Sequence, residues 1–350
     1  MTQPPTSRYE LDESGWAALC PTEPAYRVRQ LWDGLYRQLR PLDELTSLPA
    51  ALRSHLDDAA PMALEPVAEH VSDGGETVKS VWRLADGAHI ESVLMHYDRR
   101  STVCVSTQAG CAMACGFCAT GQAGFQRHLA SGEIVEQVVR AAQRAGSERR
   151  VGNVVFMGMG EPLANYDRVW QSVVRLHDHV GLSARHLTLS TVGIVPGIRR
   201  LAGEALPVNL AVSLHAANDR LRDELVPINR RYPLAELADA CRDYLAAKNR
   251  RLSFEWALID GVNDRAVDAA ELSAYARALR AHVNLIPLNP TPGWPSTGSP
   301  PARVRRFRDH LRELGVNVTI RQNRGTDIAA ACGQLAGIGG GSDTAVALRS

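Results

Sequence analysis

Residues 102–121 read TVCVSTQAGCAMACGFCATG. A short β-branched run, 102–106, leads straight into a loop holding Cys111, Cys115 and Cys118 in the spacing C-x3-C-x2-C. Structural zinc takes four ligands, usually from paired C-x2-C units. A two-cluster ferredoxin run reads C-x2-C-x2-C-x3-C. Here three thiols crowd together with no evident fourth. Thiolates suit zinc or iron–sulfur clusters. In a four-iron cubane, three cysteines leave one iron free to take a donor from a small molecule. Gly110, Gly116 and Gly121 suit a loop wrapped closely around such a group. On spacing alone, a zinc site with a remote fourth ligand and simple core thiols also remain open.

Working outward, strands and helices alternate. Strand-like runs fall at 102–106, 153–158, 186–190, 208–214, 252–259, 283–288 and 316–320. Several are rich in Val, Ile and Leu, as strands buried on both faces are. Helical patterns fall near 131–145, 166–179, 233–248, 265–281 and 302–314. This alternation predicts an α/β fold with a parallel sheet, open or barrel-like. Active groups then belong at the C-terminal strand ends, and the cysteine loop follows such an end. Residues 291–302 are rich in Pro, Gly and Ser and read as a loop. Upstream, 1–75 reads as a small polar helical domain, with Val28, Leu31, Leu35 and Leu39 on one face and Pro41 as a stop. Residues 76–100 read as a hairpin about Asp86-Gly87. The α/β body then spans 101–337, and 338–350 reads as a loose tail.

The chain has 350 residues, 45% of them hydrophobic, and a net charge of +1. Its length permits one large domain with a small one. The charge gives no global sign of a nucleic-acid partner. Lys79 and Lys248 are the two lysines; the other cations are arginines. Arg303, Arg305, Arg306, Arg308 and Arg312, followed by Arg321 and Arg324, form either a solvated face or a phosphate-contacting one. No membrane span or signal peptide is expected. Seven cysteines, three of them crowded, do not read as a secreted disulfide framework, so a reducing cytoplasm is expected.

With Phe117 in place, C-x3-C-x-aromatic-C resembles the cluster loop of the radical S-adenosylmethionine (SAM) enzymes. The segments IESVLMHYDRRSTVCVSTQAGC, VVFMGMGEPLANY, LTLSTVGIVPGI, VSLHAANDRLRDELVPIN, VNLIPLNPTPG and AACGQLA are together similar to the RNA adenine C2-methyltransferases of that group. The similarity runs from about residue 25 to 337 and is densest after 90. RQNRGTDI shows lesser variation, away from the motif positions. The resemblance implies a partial (β/α)6 TIM-like radical SAM barrel with a small N-terminal helical domain. It implies one [4Fe–4S] cluster per chain on Cys111, Cys115 and Cys118, and two SAM molecules consumed per methylation. It also implies 23S rRNA and tRNA as substrates, a reductant for cluster and disulfide, and a monomeric state. A relative that methylates adenine C8 shares the same cluster and relay cysteines. A radical SAM enzyme acting on protein or a small molecule, and a non-catalytic zinc module, are the other classes to separate.

The resemblance also assigns residues. Gly160 and Glu161, ending the strand at 153–158, fall where the family holds the SAM amino group. Ser190, then Ser213, Leu214 and His215, then Asn289, follow successive strands and fall at its other SAM positions. Read alone, such residues are ordinary turn residues. Cys332 and Cys104 fall at the family's relay thiols, and Glu91 at its general base. Alone, the two thiols read as core and Glu91 as a strand-surface glutamate. The chemistry explains the need for a relay: adenine C2 is electron-poor and carries no acidic proton, so direct attack on a SAM methyl is implausible. In the family, Cys332 takes a methyl by displacement, a radical formed from a second SAM activates it, and the carbon adds to C2. Glu91 removes the C2 proton, and a Cys332–Cys104 disulfide frees the product. Cys20 and Cys241 are expected to be structural. Arg29, Arg305 and Arg308 are the first choices for RNA contact.

Overall fold

The apolar runs form the parallel body of one ten-stranded sheet. The computed structural model describes residues 6–146 and 148–337; the tail expected at 338–350 lies outside them. Three helices open the chain: α1 (Glu13–Leu19), α2 (Ala25–Trp32) and α3 (Ala50–Ala59). Val28, Leu31 and Leu35 are buried on the expected face, while Leu39 adopts a left-handed conformation (φ 54°) just before Pro41.

Next come three antiparallel strands, β1 (Glu65–Ser72), β2 (Thr77–Arg83) and β3 (His89–Tyr97). The hairpin at Asp86-Gly87 is present: Gly87 takes φ 84° and the Ala88 amide donates to Asp86 Oδ1 at 3.1 Å. Strand β1 corrects the helical reading of 1–75. Its run EPVAEHVS exposes half of its side chains and carries Pro66, which only an edge strand tolerates, so it had no apolar alternation to read.

The sheet continues through β4 (Arg100–Cys104), which pairs antiparallel with β3. A two-stranded ribbon follows, β5 (Gln108–Gly110) with β6 (Phe125–His128), and encloses the short α4 (Ala119–Gln122). Beyond β4 lie β7 (Val151–Phe156), β8 (Leu187–Thr191), β9 (Asn209–Ser213), β10 (Leu252–Leu258), β11 (His282–Pro287) and β12 (Val318–Ile320), in that order. All these neighbours pair in parallel. The crossovers are made by α5 (Ser131–Ala145), α6 (Tyr166–Asp178), α7 (Val195–Gly203), α8 (Asp219–Leu225) with α9 (Leu234–Lys248), α10 (Ala266–Ala278) and α11 (Pro301–Glu313). Six βα units with β1 and β12 as free edges make a partial (β/α)6 TIM-like barrel. Helix α7 was not expected, because Pro196 and Gly197 interrupt its pattern. Pro196 is harmless in the first turn. Gly197 is required by packing, since a Cβ there would meet Leu163 Cβ at 2.8 Å.

The N-terminal helices share one continuous core with the barrel. Glu10 Oε2 accepts from Ser131 Oγ (2.9 Å) and from the Gly132 amide at the start of α5. An anion there also faces the positive end of the helix. On the side facing the helices, Val103, Val154, Leu187, Leu210, Val212 and Phe254 are almost fully buried. Each such side chain contributes about 1.5–3 kcal/mol. No described helix is long and apolar enough to cross a membrane.

Candidate active site at the strand ends

The parallel strands aim their C-terminal ends at one cavity of about 330 Å3, within the roughly 300–1,000 Å3 typical of small-molecule sites. Its wall carries Cys111, Cys115 and Cys118 on one side and Cys104 and Cys332 on another. Gly160, Glu161, Ser190, Ser213, His215 and Asn289 lie between them. Eleven of the thirteen residues singled out in the sequence therefore converge here; Glu91 and Leu214 are not on the wall.

The cysteine loop is held from three directions. The Cys111 amide donates to Gly124 O (2.8 Å), closing the ribbon over the loop. Gly110 has φ 73°, and a Cβ there would sit 1.8 Å from Gly124 O, so this crossing needs glycine. Trp294, from the loop after β11, covers Gly116, and Gln122 Nε2 ties Gly116 O (2.6 Å) to Thr291 Oγ1 (3.0 Å). The Ala119 amide donates to Gly333 O (2.8 Å), which anchors the loop bearing Cys332 against the cysteine loop. Burial pushes the Cys115 thiol far up and that of Cys111 up to about 12.

Glu161 is buried. Oε1 accepts from the Leu163 amide (2.9 Å) and Oε2 from the Val192 amide (2.8 Å). Desolvation nevertheless pushes it up to about 7, so a cation beside it would hold it ionised. Gly160, with φ 101°, turns the chain so that the Glu161 amide reaches Gln108 Oε1 at 2.7 Å. A Cβ on Gly160 would lie 2.6 Å from Gln108 Cβ. Gly160→Ala is therefore expected to cost about 1–3 kcal/mol of stability and to displace Glu161. Thermal unfolding of the variant checks the cost.

Alternation along the chain explains Leu214. Ser213 and His215 face the cavity, while the Leu214 side chain is fully buried in the core. Its expected place in the binding set is thus not met by its side chain. His215 Nδ1 accepts from the Ala257 amide (3.0 Å), and burial followed by Arg222 pushes the ring down to about 3. It is neutral at ordinary pH and packs edge-on against Phe117 (4.8 Å). Asn289 Nδ2 donates to Cys332 O (3.1 Å), and Asn323 Nδ2 donates to Asn289 Oδ1 (2.7 Å). Asn289 therefore fixes the Cys332 loop as well as lining the wall.

Cys332 and Cys104 are free thiols, the first opening on the cavity from its loop and the second on β4. Burial pushes both up, Cys104 to about 12. Each lies near enough to Arg321 for its charge to pull the thiol back down. Glu91 shares the β3 face of Val93, Met95 and Tyr97, which line the cavity. Its carboxylate sits one repeat further in, buried against Lys79 and the Ala336 amide.

Sequence reasoning missed three side chains here. Glu255 of β10 and Arg321 after β12 form an ion pair (3.2 Å) on the wall. Arg321 thus leaves the basic stretch with which it was grouped: it serves the cavity, not an outer face. A charged residue inside the apolar run FEWAL was the available signal for Glu255. Arg222 is fully buried and donates to Leu214 O (3.1 Å), Val192 O (2.6 Å) and Asn229 Oδ1 (2.8 Å), fastening the ends of β8 and β9.

Residues 105–272 match the family model described as the Radical SAM superfamily. A protein of Chloroflexus aurantiacus named "Probable dual-specificity RNA methyltransferase RlmN" is 54% identical over 90% of this chain and 88% of its own. A protein of the same name from Mycolicibacterium smegmatis is 48% identical over 96% of both chains. The chain belongs to the RlmN family. The crystal structure of a radical SAM methyltransferase from Sphaerobacter thermophilus has a TM-score of 0.92 and 49% identity, covering 95% of this chain and 100% of that one.

A radical SAM enzyme of the RlmN family takes a [4Fe–4S] cluster and SAM, and the residues present fit both. Zinc needs its sulfurs about 2.3 Å from one ion. Among the described residues no three His, Cys, Asp or Glu side chains converge closely enough to share one ion. A cubane spreads its thiolates over different irons and carries no such demand. Three thiols on one cavity wall, beside the buried Glu161 with its need for a cation, suit an RlmN-type cluster with a SAM ammonium.

Proposed function

We propose that this protein methylates C2 of an adenine in 23S rRNA and in tRNA, by way of a methyl group carried on Cys332. The observation that carries the reading is the meeting of two free thiols, Cys332 and Cys104, with the three-cysteine loop in one cavity. A SAM enzyme with a simpler target has no use for that second pair.

Cys111, Cys115 and Cys118 would hold the cluster. Glu161 would accept from the SAM ammonium, and Gly160, Ser190, Ser213, His215 and Asn289 would enclose the rest of the molecule. Cys332 Sγ, as thiolate, first displaces the methyl of one SAM: an S–C bond forms, the sulfonium bond breaks, and the demethylated sulfide leaves. A reduced cluster held there would, with a second SAM, supply a deoxyadenosyl radical able to take hydrogen from the S-methyl group on Cys332. The carbon on Cys332 then bonds to adenine C2, joining protein and RNA. Glu91 takes the C2 proton. Cys104 closes on the Cys332 sulfur, the bond from sulfur to carbon breaks, and the carbon takes a proton to become the methyl group. One surplus electron returns to the redox chain, and two from an external reductant reopen the disulfide. That need is met in a cytoplasmic setting, and one chain holds the whole set, so a monomer suffices.

RNA reaches the site only with the target base turned out of its stack, at roughly a few kcal/mol. Exposed arginines would offset this through phosphates. Arg29 and Arg305 are exposed and suit that role, whereas Arg308 is bonded to Asp309 (2.8 Å). The reconstituted enzyme, given methyl-labelled SAM and no RNA, is expected to carry label on Cys332. With RNA added, nucleoside mass spectrometry is expected to find 2-methyladenosine. Label absent from Cys332 would sink the relay, and 8-methyladenosine would move the chain to the C8 reading.

A further inference from the structure

Lys79 is one of two lysines in 350 residues, and it is buried. It stands on β2 diagonal to Glu91: Val81 pairs with Glu91 and Lys79 with Val93, so Lys79 and Glu91 share one face of the hairpin. Lys79 Nζ lies 3.4 Å from Glu91 Oε1 and 3.4 Å from Ala329 O, in the loop that carries Cys332. Glu91 Oε2 is enclosed and has no hydrogen-bond partner among the described residues. Pairs of this kind add little net stability, because desolvation of both charges cancels their attraction. Their consequence is electrostatic: the ammonium decides the ionic form of the carboxylate.

We propose that Lys79 is the positioning residue of the base, holding Glu91 ionised beneath the Cys332 loop with Oε2 unpaired, able to take the adenine C2 proton once that loop shifts to admit the base. This rests on the reading of Glu91 as that base. In the step, the C2–H bond breaks, its electron pair stays with the adenine ring, and an O–H bond forms at Oε2. Burial drives Glu91 up from its ordinary value and Lys79 draws it back. The titratable groups on the elements around it are Lys79 of β2, Cys104 of β4 and Cys332 of the loop. Of these, Lys79 is the one whose charge acts on Glu91. Backbone groups complete the surroundings: the Ala336 amide faces the carboxylate, and Ser106 Oγ donates to Glu91 O (2.6 Å).

The test compares Lys79→Met, Lys79→Gln, Lys79→Arg and Glu91→Gln in the full, cluster-loaded enzyme. It uses methyl-labelled SAM and a tRNA transcript bearing the target adenosine. Lys79→Met should still label Cys332 but release methylated RNA at least about tenfold more slowly at neutral pH, since a base supplies ~10²–10⁴-fold. The covalent protein–RNA species should accumulate, and its resolution should recover as pH rises, because the uncompensated carboxyl ionises only there. Lys79→Gln keeps donors without charge and should behave like Met. Lys79→Arg should keep most of the rate. Melting curves and iron content identify any variant that fails to fold, and the Gln and Arg pair then decides. Resolution by Lys79→Gln at the wild-type rate and pH profile, while Glu91→Gln accumulates the adduct, overturns the proposal alone. Normal release by Glu91→Gln overturns the assignment of the base itself.

Discussion

Cys332→Ala is expected to form no methylated RNA, a loss of about 10³-fold or more as for other essential nucleophiles, and to bear no label after incubation with methyl-labelled SAM. Cys104→Ala is expected to do something different: it takes the label on Cys332, joins to RNA and stays joined. The contrast follows from where the thiols sit. Cys332 opens on the cavity from a loop between Ala331 and Gly333, with Arg321 nearby to favour its thiolate. Cys104 ends a strand and is pushed up to about 12, first by burial and then by Cys332 itself. It is a poor first nucleophile and cannot replace Cys332. Once Cys332 carries carbon rather than a negative charge, that repulsion is gone and Cys104 can attack its sulfur. A denaturing gel shows the adduct, and peptide mass spectrometry places the bond on Cys332. Free product from Cys104→Ala at the wild-type rate would remove the disulfide step from the mechanism.

Most of the parallel strands were legible because they are largely buried on both faces, which writes an apolar run into the chain. The thiol loop was legible from its spacing together with the family resemblance, and Glu161 from that resemblance, since alone it reads as a turn residue. Strand β1 was not, because an edge strand with one solvated side needs no apolar pattern. Helix α7 was hidden by a proline that suits its first turn and a glycine that its packing demands. The Glu255–Arg321 and Lys79–Glu91 pairs escaped for another reason. The members of the first stand 66 residues apart and those of the second 12, and only the sheet's register brings them together. Arg321 reads in sequence as one more arginine of a basic run; its partner on β10 turns it inward.

Removing one cluster thiol is the remaining large effect, and Cys118→Ala is the informative choice. Cys115 packs among Phe117, Ala216, Leu225, Val226 and Ile259, so its loss would mix a packing defect with the loss of a ligand. Cys118 is only half-buried, and its loss should leave thermal stability within about 1 kcal/mol of wild type. The loop keeps its shape through bonds that do not involve the sulfur: the Cys118 amide to Cys115 O, the Ala119 amide to Gly333 O, and Thr120 Oγ1 to Leu335 O. The variant should therefore fold, yet after anaerobic loading show neither iron–sulfur absorption nor a reduced-cluster signal in electron paramagnetic resonance. It should also release no 5′-deoxyadenosine. The site separates the two contributions to SAM binding as well. Glu161, the proposed partner of the SAM ammonium, is untouched, so any SAM that still binds measures what the protein offers without the cluster. A protein that instead held zinc through these thiols would give no such signals even as wild type. A Cys118→Ala protein with full iron–sulfur content and normal 5′-deoxyadenosine release would show that the three thiols are not the ligand set, and the radical reading of the cavity would fail with them.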